Sequence, residues 1–409
     1  MNAPLSFVVI LLIVLVTAKV FGEIIARFGQ PAMIGELIAG LLLGPSLFNI
    51  INHTSELKVI ADLGVFLLII LAGMEIEVEK IRDSVRGRNA LIAIMGFIVP
   101  FICGFLLGLG FQYNYTFSIF LGLCIAITAL PVSIRILMDL GRLNSSIGQR
   151  IISAAIFNDV VSLLILGIIL DFNTETQNLK ELVFLTTISI IKVSVFILLL
   201  YGAYKLFKIA KSEVKIINPK VNKFLSYLQG KESIFAIVIV FVLFFASIAE
   251  FLGMHFVVGA FFGAILFPRS MIKTKEFTAV YKTTSGITMG FLAPIFFAYM
   301  GIECNIMAID NYLLLLLVLV ASFFSKIFGG YAGGKLAGFN NLDSFTMGLG
   351  MNARGLVELV IASIALQRGF IDIPFFTILV IMALLTTLLT PVFLKRAFTK
   401  IDKNSKPIN

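Results

Sequence analysis

The sequence has no tryptophan, only two histidines and only three cysteines in 409 residues. Each scarcity narrows what the chain can be. Cys103, Cys124 and Cys304 are odd in number and lie in or beside apolar runs, so free thiols are expected rather than a disulfide framework. No metal-ligand cluster, phosphate loop or set of nucleophile, base and oxyanion donors can be read, which argues against an enzyme and against a bound cofactor. Charge is also scarce, at 13% of residues against about 25% in soluble domains. Hydrocarbon takes its place: 59% of residues are hydrophobic and the mean hydropathy is +1.05. One soluble core cannot absorb that much Leu, Ile, Val and Phe, whereas runs of about 20 apolar residues suit a bilayer.

The net charge of +9 does not point to nucleic acid, because the basic residues lie between apolar runs rather than in a patch with interleaved aromatics. The expected fold is all-α, a polytopic membrane protein surrounded by lipid. Thirteen transmembrane helices are expected, roughly at 5–28, 32–51, 57–74, 89–112, 115–139, 147–170, 181–209, 231–252, 254–268, 277–300, 311–337, 344–368 and 373–398. The first run continues past Lys19 and Glu23 without a small-residue cleavage site and reads as a retained span. With the N-terminus outside and the C-terminus inside, the cytoplasmic loops collect Arg27, the cluster from Lys80 to Arg88, Arg142, Arg150, the lysines from Lys205 to Lys231, Arg269, Lys273 and the basic tail. The other side receives only Lys58, Lys180 and Arg368, so the positive-inside rule selects this orientation in a plasma membrane.

A lysine-rich loop divides the chain into a first six-helix half (1–170), a linker helix and loop (171–230), a second six-helix half (231–398) and a short cytoplasmic tail (399–409). GELIAGLLLGP (Gly35 to Pro45) is echoed by HFVVGAFFGAILFP (His255 to Pro268), and LAGMEIEV (Leu71 to Val78) by YMGIECNI (Tyr299 to Ile306). The matched spans run in opposite directions, as an inverted repeat requires, and such repeats place sites at mid-membrane beside discontinuous helices. Both expected interruptions are present. The fifth span holds Thr128-Ala129-Leu130-Pro131, where proline removes a backbone donor, and the twelfth holds Gly348 to Gly355 with Gly350, Asn352 and Arg354.

Asp159 lies ~18 Å into the sixth span, near the midplane, and Lys326 lies at a similar depth in the eleventh. Such charges cost about 2.5 to 3.5 kcal/mol at a helix centre and persist where they pair or meet water. Their bland reading is a salt bridge between helices. The functional reading is a single carboxylate that holds either a proton or a partly dehydrated cation, hardly both, which is all an exchanger needs. Oxygen donors suit a hard cation, and the Thr128 hydroxyl, the carbonyls near Ala129 and Leu130 and the Asn158 amide are the expected partners. Arg354 and Glu358, spaced i, i+4, are expected as a structural pair, and Arg135 and Asp139 as a pair in a cytoplasmic funnel. Glu303, Glu250, Glu36, Glu23, Lys19 and Lys192 read as rim or packing charges, and His255 as a rim histidine with a conceivable pH-sensing role.

At these residues the chain resembles the monovalent cation:proton antiporters, the branch with Kef-type potassium efflux systems, thirteen-helix sodium/proton antiporters and plant cation/proton exchangers. The resemblance covers nearly the whole chain, most specifically Ala126 to Leu164, VVGAFFGAILFP, and GMNARGLVELVIASIAL from Gly350 to Leu366. It implies two crossed, broken helices in a mobile core domain, a panel domain that also dimerises, and elevator-like movement. By the same resemblance Asp159 matches the ion-binding aspartate, Lys326 the core lysine and Thr128 the hydroxyl of the first broken helix. Electrogenic members have two consecutive acids where this chain has Asn158 before Asp159, which suggests electroneutral exchange of Na⁺ or K⁺ for H⁺. Kef-type members continue into a cytosolic nucleotide-binding domain. This chain ends soon after its last span, so a regulator is expected, if at all, as a separate subunit. The rival readings are an ion sensor, a channel-like protein or an organic-anion symporter on a related fold.

Overall fold

The computed structural model describes residues 6–170, 179–217, 231–267 and 274–405. The loop lysines Lys220 and Lys223 and the turn with Arg269 and Lys273, on which the orientation argument leans, lie outside the described residues. Every regular element among the described residues is helical. The first half comprises α1 (Phe7–Arg27), α2 (Ala32–Leu43), α3 (Ser55–Glu75), the short α4 (Val78–Ser84), α5 (Arg88–Gly110), α6 (Tyr115–Ala126), α7 (Leu130–Asp139) and α8 (Ser146–Ile169). After α9 (Leu179–Ile217) come α10 (Lys231–Phe251), α11 (Phe256–Leu266), α12 (Thr274–Ile287), α13 (Ala293–Glu303), α14 (Tyr312–Leu336), α15 (Asn341–Gly350), α16 (Leu356–Gln367) and α17 (Ile373–Ser405). Side chains at the N-caps satisfy orphan donors where polar residues interrupt the apolar runs. Asn114 accepts from Phe117 N–H at 2.7 Å, Asn311 from Leu314 N–H at 2.9 Å and Asn340 from Asp343 N–H at 2.8 Å.

Among the described residues ten helical stretches are long and apolar enough to cross a membrane, with α6 and α7 (Tyr115–Asp139) taken as one and α12 and α13 (Glu276–Ala308) as another, against the thirteen expected, and three shorter apolar helices accompany them: Ala32–Leu43, Phe256–Leu266 and Leu356–Gln367. The expected span 32–51 stops early because Gly44 leaves the helix ahead of Pro45, and a residue before proline is pushed out of the helical region. The apolar residues after it, Leu47, Phe48 and Ile50, sit exposed in a turn.

Helix neighbours recur between the halves. α1 packs on α2 as α10 packs on α11; α5 packs on α6 as α14 packs on α15; and α5 lies against α14. The close approaches use the same device twice. A Cβ on Gly35 of α2 would meet Phe21 O of α1 at 2.2 Å, and one on Gly259 of α11 would meet Phe245 O of α10 at 2.3 Å. Helix α12 passes into α13 through a π-turn at Thr288–Leu292, and Lys19 reaches across from α1 to donate to Met289 O at 3.1 Å. That contact occupies a carbonyl where wide turns leave backbone groups exposed.

Candidate functional site

Two helices that would otherwise be continuous are interrupted, and the interruptions meet. The chain is extended from Ile127 to Ala129 between α6 and α7, and it leaves the helix from Met351 to Gly355 between α15 and α16. Ala129 N–H donates to Ala353 O at 2.9 Å and the Thr128 hydroxyl donates to Met351 O at 3.0 Å, so each break supplies partners that the other lacks. Leu130 and Pro131 belong to the first turn of α7, where proline costs no hydrogen bond. The second break is shorter than the sequence suggests. Gly348 to Gly350 stay helical because Gly348 is packed against α14, where a Cβ would meet Ile327 O at 2.4 Å.

Asp159 and Asn158, both fully buried on α8, face these breaks. Asp159 Oδ2 accepts from Leu130 N–H at 3.3 Å, so the carboxylate lies at the N-terminus of α7, where the helix dipole favours an anion. Its Oδ1 is buried and accepts no hydrogen bond. The Asn158 amide lies 2.9 Å from the Thr128 hydroxyl. Turned so that both of its ends are satisfied, it accepts from Lys326 Nζ at 3.2 Å and donates to Ala154 O at 3.3 Å.

Lys326 is fully buried, yet among the described ion pairs none joins it to Asp159. Its ammonium donates to Thr128 Oγ1 at 2.7 Å, to Gly96 O at 3.2 Å and to Ala126 O. The bland reading of a salt bridge to the aspartate is therefore replaced by a cation held on neutral oxygens. Arg354 and Glu358 pair at 3.1 Å with both side chains fully buried. Arg354 also donates to Cys124 O at 2.5 Å and Ile125 O at 2.8 Å, the last carbonyls of α6. Two cations thus sit at the negative end of α6 and one anion at the positive end of α7, so the charges follow the dipoles of the divided helix. Arg135 and Asp139 pair at 3.2 Å on the exposed side of α7.

Sequence reasoning did not single out several buried polar groups near the breaks, Thr387, Ser133 and Ser162. Thr387 on α17 accepts from Arg354 N–H at 3.2 Å and donates to Arg354 O at 3.0 Å, holding the second break on both sides. The Ser133 and Ser162 hydroxyls are buried without hydrogen-bond partners. Ser162 is one turn beyond Asp159 on α8, and that i, i+3 spacing was the readable signal. Asn352 donates weakly to Gly348 O at 3.3 Å and leaves its Oδ1 unpartnered. The groups that do meet at the breaks, Asp159, Asn158 and Thr128, are oxygen donors, a set that fits a hard monovalent cation.

His255 caps α11, its Nδ1 accepting from Val257 N–H at 3.4 Å.

A bundle of apolar helices around facing helix breaks, with a buried carboxylate and buried cations between them, has the architecture of a multi-pass membrane transporter. The family model described as sodium/hydrogen exchanger, transmembrane, matches residues 8–400, and the chain belongs to that family. It is 30% identical over 396 residues to the Na(+)/H(+)-K(+) antiporter GerN of Bacillus cereus, an alignment covering 96% of this chain and 97% of that one. It is 28% identical over 403 residues to a Na(+)/H(+) antiporter of Enterococcus hirae, covering 98% of this chain and 100% of that one. Its fold matches the structure of the sodium proton antiporter MjNhaP1 from Methanocaldococcus jannaschii at pH 8 with a TM-score of 0.70 at 16% identity, covering 96% and 97% of the two chains. At that identity the likeness is one of fold.

Proposed function

We propose that this protein exchanges a monovalent cation, Na⁺ or K⁺, for protons across the plasma membrane, with Asp159 as the site both ions share. The observation that carries the reading is the Asp159 carboxylate at two facing breaks, one oxygen held by Leu130 N–H and the other buried and unpartnered. A buried anion is costly alone and is neutralised equally well by a proton or a cation, so the two compete. Thr128, Asn158 and the backbone around Ala129, Leu130 and Pro131 complete the cation's oxygen shell, with Gly350 and Asn352 opposite. Lys326, Arg354 and Glu358 are supporting charges. Support for one-for-one, electroneutral exchange comes from Asn158 standing beside a single acid and from Lys326 being satisfied by neutral oxygens. The relatives' names, Na(+)/H(+)-K(+) antiporter and Na(+)/H(+) antiporter, support cation/proton exchange and leave both cations in play.

In this reading thirteen segments cross the membrane, N-terminus outside and C-terminus inside, as an inverted repeat whose broken helices cross. The recurring neighbour pattern of the halves supports it. The protein works as a homodimer in lipid, its core moving like an elevator past the remaining helices. The test is dissipation of a preset pH gradient in proteoliposomes on adding Na⁺, K⁺, Li⁺ or choline, with and without a clamped membrane potential. Dissipation by Na⁺ or K⁺, absent with choline and indifferent to the clamp, is the expected result. If no cation moves protons, the reading is wrong and the fold serves as an ion sensor; proton flux that follows the potential would point to a channel.

A further inference from the structure

The matched phrases of the two halves end their helices on the same residue type. Glu75 is the last residue of α3 and Glu303 the last of α13. A carboxylate there faces the negative end of its own helix, which disfavours a bare anion and favours a cation beside it. Each acid keeps its Oε2 buried without a hydrogen-bond partner, and each is served by a tyrosine. Tyr281 donates to Glu75 Oε1 at 3.1 Å, and Tyr299 stands one turn before Glu303 on α13, where its hydroxyl and the carboxylate interact.

The two acids occupy opposite ends of the bundle. Glu75 is close enough to Asp159 for the two charges to interact. Glu303 belongs instead beside the first turns of α3: that helix packs on α13, where a Cβ on Gly64 would meet Leu292 O at 2.9 Å and Phe296 Cβ at 3.2 Å. Glu303 interacts there with Asp62, about 20 Å before Glu75 along α3. Glu303 is only 9% exposed, whereas Asp62 is half-buried and opens the cluster to the surroundings. Gln367, at the far end of α16, donates to Asp62 at 3.4 Å, so the cluster also touches the second divided helix. Asn305 adds a further unpartnered oxygen, Oδ1, and Lys58 offsets only part of the negative charge.

We propose that Glu303, with Tyr299 and Asp62, forms a cation-capture site at the end of the bundle remote from Glu75, taking a hydrated monovalent cation before it reaches Asp159. The inference rests on the exchange reading of Asp159. Two carboxylates, one buried and one open, attract a cation without enclosing it, as a waystation requires. In the proposed orientation this is the outer mouth.

The experiment measures the half-saturating Na⁺ and K⁺ concentrations separately from each face, in right-side-out and inverted vesicles, for wild type, Glu303→Gln and Asp62→Asn. Losing one charge at the mouth is expected to raise the value on the Glu303 face about fivefold for Glu303→Gln and about twofold for the more exposed Asp62, leaving the opposite face at the wild-type value. Asp62→Asn alters a half-buried side chain and keeps the test valid should Glu303→Gln fail to fold. Unchanged values on the Glu303 face, or equal increases on both faces, would overturn the inference. Absence of cation-driven proton flux in wild-type vesicles is a different result, which removes the exchange reading and this site with it.

Discussion

Asp159→Asn is expected to reduce cation-driven proton movement about 100-fold, the factor that corresponds to leaving a charge of about 2.5 to 3.5 kcal/mol uncompensated at a helix centre. The substitution preserves shape, and the asparagine oxygen still accepts from Leu130 N–H, so the breaks should remain joined. What changes is the charge balance. A carboxylate becomes neutral on taking either H⁺ or a cation, whereas an amide is neutral when empty and positive when a cation binds. The loaded state then faces the barrier and the empty one does not, the reverse of what coupling requires. Pre-steady pH-gradient decay in proteoliposomes, with thermal unfolding in detergent to verify folding, measures the effect. Exchange at wild-type rates in the asparagine variant would remove Asp159 from the mechanism.

Arg354→Met is expected to be among the most destabilising substitutions in the chain, by about 3 to 5 kcal/mol. The guanidinium is fully buried and holds Glu358 together with the terminal carbonyls of α6. Without it Glu358 is an uncompensated buried anion and the carbonyls of Cys124 and Ile125 lose a charged donor. Adding Glu358→Leu to Arg354→Met should recover part of the loss, because an apolar pair removes the stranded charge, but not all of it, because the α6 carbonyls stay unsatisfied. Unfolding in detergent measures both variants. A single substitution costing under about 1 kcal/mol would show that the pair does not hold the breaks together.

Much of the site could be read before the fold. Asp159 stood out because a carboxylate in an apolar run needs a reason, Pro131 and the glycines near Gly350 marked both interruptions, and the four-residue spacing placed Arg354 against Glu358. The unreadable part was carried by backbone. Lys326 rests on Gly96 O and Ala126 O, and Arg354 on Cys124 O and Ile125 O. A carbonyl has no letter in the sequence, so the neutral oxygens that take the place of the salt bridge weighed as the bland reading of Lys326 were out of sight. Thr387 was hidden for another reason. It lies 33 residues beyond Arg354, and nothing local distinguishes it from its neighbour Thr386, which bonds back within α17. Helix length was overread where apolar residues continue past a break, as after Gly44.

The central claim is that cation and proton compete for one carboxylate. It is tested most directly by adding Na⁺ or K⁺ to purified protein in weakly buffered detergent and following the protons released. The account predicts proton release that saturates with cation concentration, shrinks as the starting pH rises and Asp159 empties of protons, and vanishes in Asp159→Asn. Cation binding without proton release, or release of equal size in the variant, would contradict it.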